Sequence, residues 1–212
     1  KNNDDILTFF DALGNTLNLK SAQINGTLDM KDSKMNIDAQ ILQKEDLQVA
    51  TSIGLVAGDH VKNNFLNFYI KDGKTYLNSM GTKTQSTVDK IGLKKNSKLN
   101  TYNPFLDLTD DQLCKLFDSS KKENDTYTFK VNTSKLATLL DNMGSIKLED
   151  ATLVATIKNE KISHMILNFT GTQTVDDASA DIDVSIELSI KKLNKINFPN
   201  DLDNYKNETA ED

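Results

Sequence analysis

The stretch Ala178–Lys191 alternates apolar and polar residues over its whole length. All its even positions are apolar, and all its odd positions are polar or charged. Because successive side chains of a strand point to opposite faces, this pattern predicts a strand with one apolar and one polar face. At about 3.3 Å per residue it would span about 46 Å, far more than a usual strand. Other apolar groups must therefore pack along the whole apolar face of this unusually long strand.

The same alternation predicts further strands on both sides of the chain's midpoint. They are Lys20–Lys31, Met35–Ile41, Val49–Leu55, Phe65–Lys71, Lys74–Ser79, Asp125–Asn132, Ala151–Lys158 and Lys161–Thr170. The dipeptides Asp72-Gly73 and Asn159-Glu160 between consecutive strands are typical of tight turns. Because no helix alternates with these strands, their order predicts antiparallel pairing.

Three segments show helical periodicity. Asp4–Leu17 carries apolar residues at spacings of three and four, with acidic residues in its first turn. Thr109 and Gln112 form a capping box, which predicts a helix over Asp110–Asp118. A third helix is predicted over Ser134–Met143. These helices are too few to cover a large sheet on both faces.

Residues 81–103 are polar and have few apolar anchors, which predicts a long loop with one helical turn, able to act as a lid. The elements together predict an α+β fold: a single long-stranded, strongly curved antiparallel sheet, or half-barrel, with a few helices covering its concave face. A two-sheet sandwich is the alternative, but it usually has shorter strands and more turn residues. Residues 1–205 are expected to form one domain and residues 206–212 a polar tail.

Composition excludes several classes of function. The net charge is −6, and all 25 basic residues are lysines. An acidic surface without arginine lacks the planar donors that suit phosphates and base edges, so nucleic-acid binding is not expected. The single cysteine, Cys114, lies on the apolar side of a predicted helix and is expected to be a buried thiol.

The chain carries no recognisable catalytic motif. His60 and His164 are far apart in sequence and are expected at the surface. Asp181 and Asp183 share the polar face of one strand, where nothing apolar would raise a carboxyl pKa. We therefore expect neither an enzyme, nor a metal site, nor a cofactor.

Large apolar residues on the predicted concave face are candidate ligand-binding residues. Aromatic, methionine and aliphatic side chains on such a face suit an acyl chain or another hydrophobic ligand. The candidates are Phe9, Phe10, Met30, Met35, Ile37, Phe68, Leu140, Met165, Leu167, Phe169, Ile182, Val184 and Ile186. Two arrangements stay open from the residues alone: a cavity for a ligand, or a space that the helices fill.

The order of elements resembles the LolA/LppX-like lipoprotein-carrier fold of bacteria. An amphipathic helix at Asp4–Leu17 precedes the long hairpin Leu19–Leu42, and helices interrupt the strands midway. The last strand, Asp177–Lys191, is followed by Asn194–Pro199 and Leu202–Tyr205, an ending similar to that of surface lipoproteins of low-GC Gram-positive bacteria. The resemblance implies a half-barrel that holds a lipid or acyl group, and no catalytic residue.

These observations predict an extracytoplasmic binding protein. The chain starts at Lys1 rather than Met, so we expect a processed precursor with a signal peptide or a lipid-attachment cysteine upstream. The mature chain is then either anchored to the cell membrane as a lipoprotein or secreted. The expected partner is a lipid or hydrophobic ligand, and the expected state is a monomer. The alternative is a cell-surface structural or protein-interaction module with a filled core.

Overall fold

The computed structural model describes residues 1–140 and 144–208. Within these residues there are three α-helices: α1 (Asn3–Leu17), α2 (Asp110–Cys114) and α3 (Thr133–Leu139). The strands are β1 (Ser21–Met30), β2 (Ser33–Leu42), β3 (Gln48–Ala57), β4 (His60–Lys71), β5 (Lys74–Ser79), β6 (Thr82–Thr87), β7 (Phe117–Glu123), β8 (Thr126–Val131), β9 (Ile146–Lys158), β10 (Lys161–Val175), β11 (Ala178–Lys191) and β12 (Lys206–Asn207).

These strands form one curved, open sheet in the order β12-β6-β5-β4-β3-β2-β1-β11-β10-β9-β8-β7. All neighbours pair antiparallel except the short β12, which runs parallel to β6. The predicted half-barrel is therefore confirmed, and the sandwich alternative is wrong. Strand β11 has the predicted bounds and lies between β1 and β10, so it joins the N-terminal and C-terminal halves of the sheet.

Helix α1 packs on the apolar face of β7, β9 and β10 and forms the main core there. The Asn2 side chain caps the helix by accepting bonds from the amides of Asp4 and Asp5. At its other end, the Thr16 hydroxyl accepts a bond from the Ile162 amide of β10 at 2.9 Å. The first contact caps the N-terminus of α1, and the second ties its C-terminal end to β10.

Residues 88–103 cover the opposite half of the apolar face near the β2–β3 turn. Val88 is buried against Leu47 and Ile70 in a second cluster. The buried Gln43 amide donates to the carbonyls of Leu17 and Leu19 and accepts from the Leu99 amide. The segment is therefore fixed to the sheet by buried bonds, and it does not have the structure expected of a mobile lid.

The C-terminal segment crosses the polar face of the sheet and forms a third cluster on β4 and β5. Phe198, Leu202 and Tyr205 pack there against Tyr69 and Tyr76. Burial, with the nearby Asp201 carboxylate, raises the pKa of Tyr205 to about 12. The ring is therefore a neutral packing group at physiological pH.

Several predicted boundaries are wrong. Strand β6 occupies residues 82–87, which were expected to be a loop. The capping box at Thr109 is confirmed, but α2 ends at Cys114 rather than Asp118, because β7 begins at Phe117. Helix α3 ends at Leu139, and the predicted continuation to Met143 lies outside the described residues. Strand β12 falls within the predicted polar tail, of which residues 209–212 are also outside the described residues.

None of the helices that the structure describes combines the length and apolarity needed to cross a bilayer.

Replacing Gly171 by alanine is expected to destabilise the sheet. A Cβ at this position would lie 2.2 Å from the Lys147 carbonyl oxygen, at a bulge between β10 and β9. Because the obstacle is backbone, relief requires a strand shift, and we expect a loss of about 2 kcal/mol or more in unfolding free energy. Gly26→Ala is the matched control, since there the nearest obstacle is the flexible side chain of Leu188. Equal stability losses in urea denaturation would contradict this account.

Candidate functional site

A continuous row of apolar side chains crosses seven neighbouring strands on one face of the sheet. Strand pairing places its members directly side by side, in the order Phe129, Leu153, Leu167, Ile186, Leu28, Met35 and Leu55. A second row runs beside it through Met165, Leu188, Gly26, Ile37 and Ile53. The two rows make a broad apolar face, and the covering elements decide which parts of it a ligand can reach.

Helix α1 closes one end of this face. Phe9 and Phe10 are buried in an aromatic cluster with Phe105, Phe117 and Phe129. The ring centroids of Phe9 and Phe10 lie 5.1–5.8 Å from those of neighbouring rings, as in a solid protein core. The two predicted candidates on α1 are therefore core residues in this structure.

Three strand candidates border that core. Met165, Leu167 and Phe169 are partly buried and pack against the α1 cluster. In the other half of the same face, Phe68 is partly buried and packs against the second cluster, which includes Val88, Leu93 and Leu99. Leu140 lies exposed directly after α3, although Leu136 and Leu139 of that helix pack against the α1 cluster.

The centre of the apolar face lies on β11, β1, β2 and β3. No described helix packs on these strands as closely as α1 packs on β10, β9 and β7. These strands contact chiefly their neighbouring strands, whereas α1 lies on β10, β9 and β7 and α3 on β9. We call this region the open apolar surface; its residues are Leu28, Met35, Ile37, Ile53, Leu55, Ile182 and Ile186. Each is half-buried, and none belongs to the three described core clusters.

The structure thus brings part of the predicted set together. Met35, Ile37, Ile182 and Ile186 lie on the open apolar surface, and the buried Val184 and the exposed Met30 adjoin it. The ligand-binding role of all these residues stays a prediction.

The sequence analysis missed three members of the open apolar surface: Leu28, Ile53 and Leu55. Each stands in the apolar phase of a predicted strand, but only the pairing of Leu28 with Met35 and of Met35 with Leu55 reveals that they share one patch. The signal that could have found them is the hairpin register, which follows from the length of each turn.

Two surface depressions adjoin this region. One of about 590 Å³ lies on the polar side of the central strands and is lined mainly by Asn, Asp, Ser, Thr and Glu side chains. Another, of about 690 Å³, includes Met30 and Ile182 together with Asp29, Asp181 and Asp183. Apolar and acidic groups therefore meet at the end of the open apolar surface.

Titratable groups form no recognisable reaction centre in the described part of the chain. The His164 Nε2 atom lies 2.7 Å from Glu187 Oε1 on the polar face, as an exposed pair. Burial raises the pKa of the Cys114 thiol, which opposes its use as a nucleophile. No three His, Cys, Asp or Glu residues among those described are grouped to hold a metal ion.

Comparison with known proteins adds little to this geometry. No protein-family model matches the chain. No curated protein sequence matches it. The crystal structure of LprF from Mycobacterium bovis is similar with 10% identity, covering 94% of this chain and 97% of that one at a TM-score of 0.46. A likeness at this level carries no argument, so the fold assignment rests on this chain's own strand order, a single curved antiparallel half-barrel.

Proposed function

We propose that this chain is an extracytoplasmic binding protein that holds a lipid or other hydrophobic ligand against the open apolar surface. The observation that carries the proposal is the contiguous set of half-buried aliphatic side chains on β11, β1, β2 and β3, outside every described core cluster. A contiguous apolar patch that stays partly accessible at a protein surface is typical of a binding site. The upstream lipid anchor belongs to the same proposal, and the precursor residues before Lys1 would test it.

Binding would come from removal of apolar ligand surface from water. Each methylene buried contributes about 0.8 kcal/mol, so an acyl chain along one row of the surface could bind without any charged partner. The long faces of β1 and β2 favour an extended ligand, because their side chains form parallel rows rather than a closed pocket. The flexible thioether of Met35 suits varied chain shapes.

Replacing Leu55 by asparagine is expected to weaken uptake of a fluorescent long-chain fatty acid by the delipidated protein about tenfold, because the apolar contact surface is interrupted. Val56→Asn is the matched control, since Val56 is also half-buried and adjacent in β3 but faces the polar side. Fluorescence titration measures both, and native mass spectrometry reports any co-purified lipid. No uptake by the wild-type chain, or equal losses in the two variants, would contradict the proposal.

The alternative of a protein-interaction module is less well supported. An exposed sheet edge could pair with another chain, and β7 forms one edge of this sheet. However, β7 ends in Lys121, Lys122 and Glu123, and charged side chains on an edge strand oppose further pairing.

A further inference from the structure

The sheet splits between β10 and β11 near the C-terminal end of α1. Pairing of these two strands ends at His164 and Ser189. Beyond that point β10 stays paired with β9, and β11 stays paired with β1. A cleft of about 620 Å³ lies at the split, bordered by the ends of all four strands. We call it the lysine cleft, after the five lysines that line it: Lys20, Lys158, Lys161, Lys191 and Lys192.

The lysine cleft has a charge opposite to that of the whole chain, whose net charge is −6. Its lining includes no aspartate or glutamate, whereas four other depressions in the described part of the chain each include at least one. Among the residues that the structure describes, none of the five lysines forms an ion pair. Glu160 lies in the turn between β9 and β10 but outside the lining, and Glu187 pairs with His164. The positive charge of the cleft is therefore left without a counter-charge from the described side chains.

These lysines do not protect an edge of the sheet. Lysine is common on edge strands, where it opposes pairing with another chain. Here the lysines lie at the ends of β1, β11, β10 and β9, which are neighbours in the interior of the sheet. Like charges on neighbouring strands repel one another, and a bound anion removes that repulsion. The cluster therefore points to an anionic ligand.

Apolar side chains line the same cleft. Leu19, Ile162 and Ile190 border it beside the lysines. Lysine stems can lie along such groups while the ammonium reaches a charged partner. A small inorganic anion gains nothing from apolar contacts, so this mixture of lysines and aliphatic side chains favours an amphiphile.

The apolar side of the cleft continues in register toward the open apolar surface. Ile190 is followed on the same face of β11 by Leu188 and then by Ile186, which belongs to that surface. Leu188, and Ile24, which pairs with Ile190, are half-buried and belong to no described core cluster. Ile190 and Ile186 lie about 13 Å apart along the strand, close to the ~15 Å of one leaflet's hydrocarbon, which one acyl chain spans. A head group in the lysine cleft therefore leaves its acyl chain within reach of the open apolar surface.

We propose that the lysine cleft binds the anionic head, a phosphate or a carboxylate, of an acyl amphiphile whose chain lies on the open apolar surface. This inference rests on the proposed function and names its ligand class: anionic rather than neutral lipids. The lysine ammonium groups hold the head by charge-assisted hydrogen bonds, which are about twice as strong as those between neutral groups. The aliphatic rows of the sheet bind the chain whatever its head.

The test compares three ligands by isothermal titration calorimetry on the delipidated full chain, below the micelle concentration. They are palmitoyl lysophosphatidate, palmitoylglycerol, which has the same chain and no charge, and glycerol 3-phosphate, which has the head alone. The cleft variant combines Lys158→Gln, Lys161→Gln and Lys192→Gln. The matched control combines Lys34→Gln, Lys74→Gln and Lys121→Gln, which remove the same charge from exposed lysines outside the cleft. We expect the wild type and the control to bind lysophosphatidate about tenfold more tightly than palmitoylglycerol, and the cleft variant to bind the two equally.

The outcomes separate this inference from the proposed function. Equal binding of the two lipids by the wild type would overturn the anionic head and leave the hydrophobic ligand site standing, whereas binding of neither lipid would overturn both. Glycerol 3-phosphate binding as tightly as lysophosphatidate would make the cleft a site for free phosphate compounds, and the link to the acyl surface would be wrong. Equal losses in the cleft and control variants would assign the effect to net charge.

Thermal unfolding without ligand gives an independent check. The cleft variant should be at least as stable as the wild type, because repulsion among the lysines is relieved. A clear loss of stability would assign these lysines a structural role and overturn the proposal.

Discussion

Replacing Phe129 by alanine is expected to lower the free energy of unfolding by about 3–5 kcal/mol, the usual range for removing a fully buried phenylalanine. Phe129 is the largest fully buried side chain described in the structure. Its ring stacks on Phe117 at 4.5 Å between centroids and contacts Phe9 of α1 at 5.4 Å. The change therefore opens a cavity between β8, β7 and α1 at once.

The chain has no tryptophan, so urea unfolding is best followed by far-ultraviolet circular dichroism. Thr128→Ala is the matched control, because Thr128 is the preceding residue of β8 and faces the other side of the sheet. We expect its effect to stay below about 1 kcal/mol. An equally mild effect of Phe129→Ala would contradict the packing of this ring against Phe117 and Phe9.

Replacing Gln43 by leucine is expected to destabilise the protein by about 3 kcal/mol or more. The buried amide donates to the Leu17 and Leu19 carbonyls, both at 2.7 Å, and accepts from the Leu99 amide at 2.9 Å. Leucine has a similar size but leaves these three backbone groups without their partner, at about 1–3 kcal/mol for each buried group. Gln43 thus joins α1, the start of β1 and residues 88–103.

Gln40→Leu is the control for this change, since Gln40 lies three residues earlier, in β2, where it is half-buried and paired with Gln23 on the polar face. We expect it to alter stability by no more than about 0.5 kcal/mol. Hydrogen exchange gives a second measurement: residues 94–102 should lose protection in Gln43→Leu before the sheet does. Unchanged protection in that segment would show that Gln43 does not fix it.

The strands that the sequence predicts well are those with one buried and one solvated face. In β1, β2, β3 and β11 every second residue is apolar except Ser33 and Thr51, and the structure confirms strands at all four places. The missed strands have a different character. β6 reads Thr-Lys-Thr-Gln-Ser-Thr and β7 ends in lysines, because both lie near the margins of the sheet, where little apolar surface is buried.

The candidate site was predictable only in part for a related reason. Periodicity identifies Phe9 and Met35 equally well as apolar-face residues. It does not reveal that α1 carries Phe9 into a closed aromatic core, whereas Met35 lies on strands that no helix covers to the same extent. Coverage depends on where distant segments pack, and a local pattern carries no information about that.

The sequence by itself determined the local elements: the period of two, the turn residues and the capping box at Thr109 specify strands, hairpins and a helix start through interactions within a few residues. Only the tertiary structure decided that β11 pairs with β1, and that α1 and residues 88–103 cover opposite parts of one face. These features depend on contacts between residues far apart in the chain. Such contacts are selected by the packing of the whole sheet rather than by any single stretch.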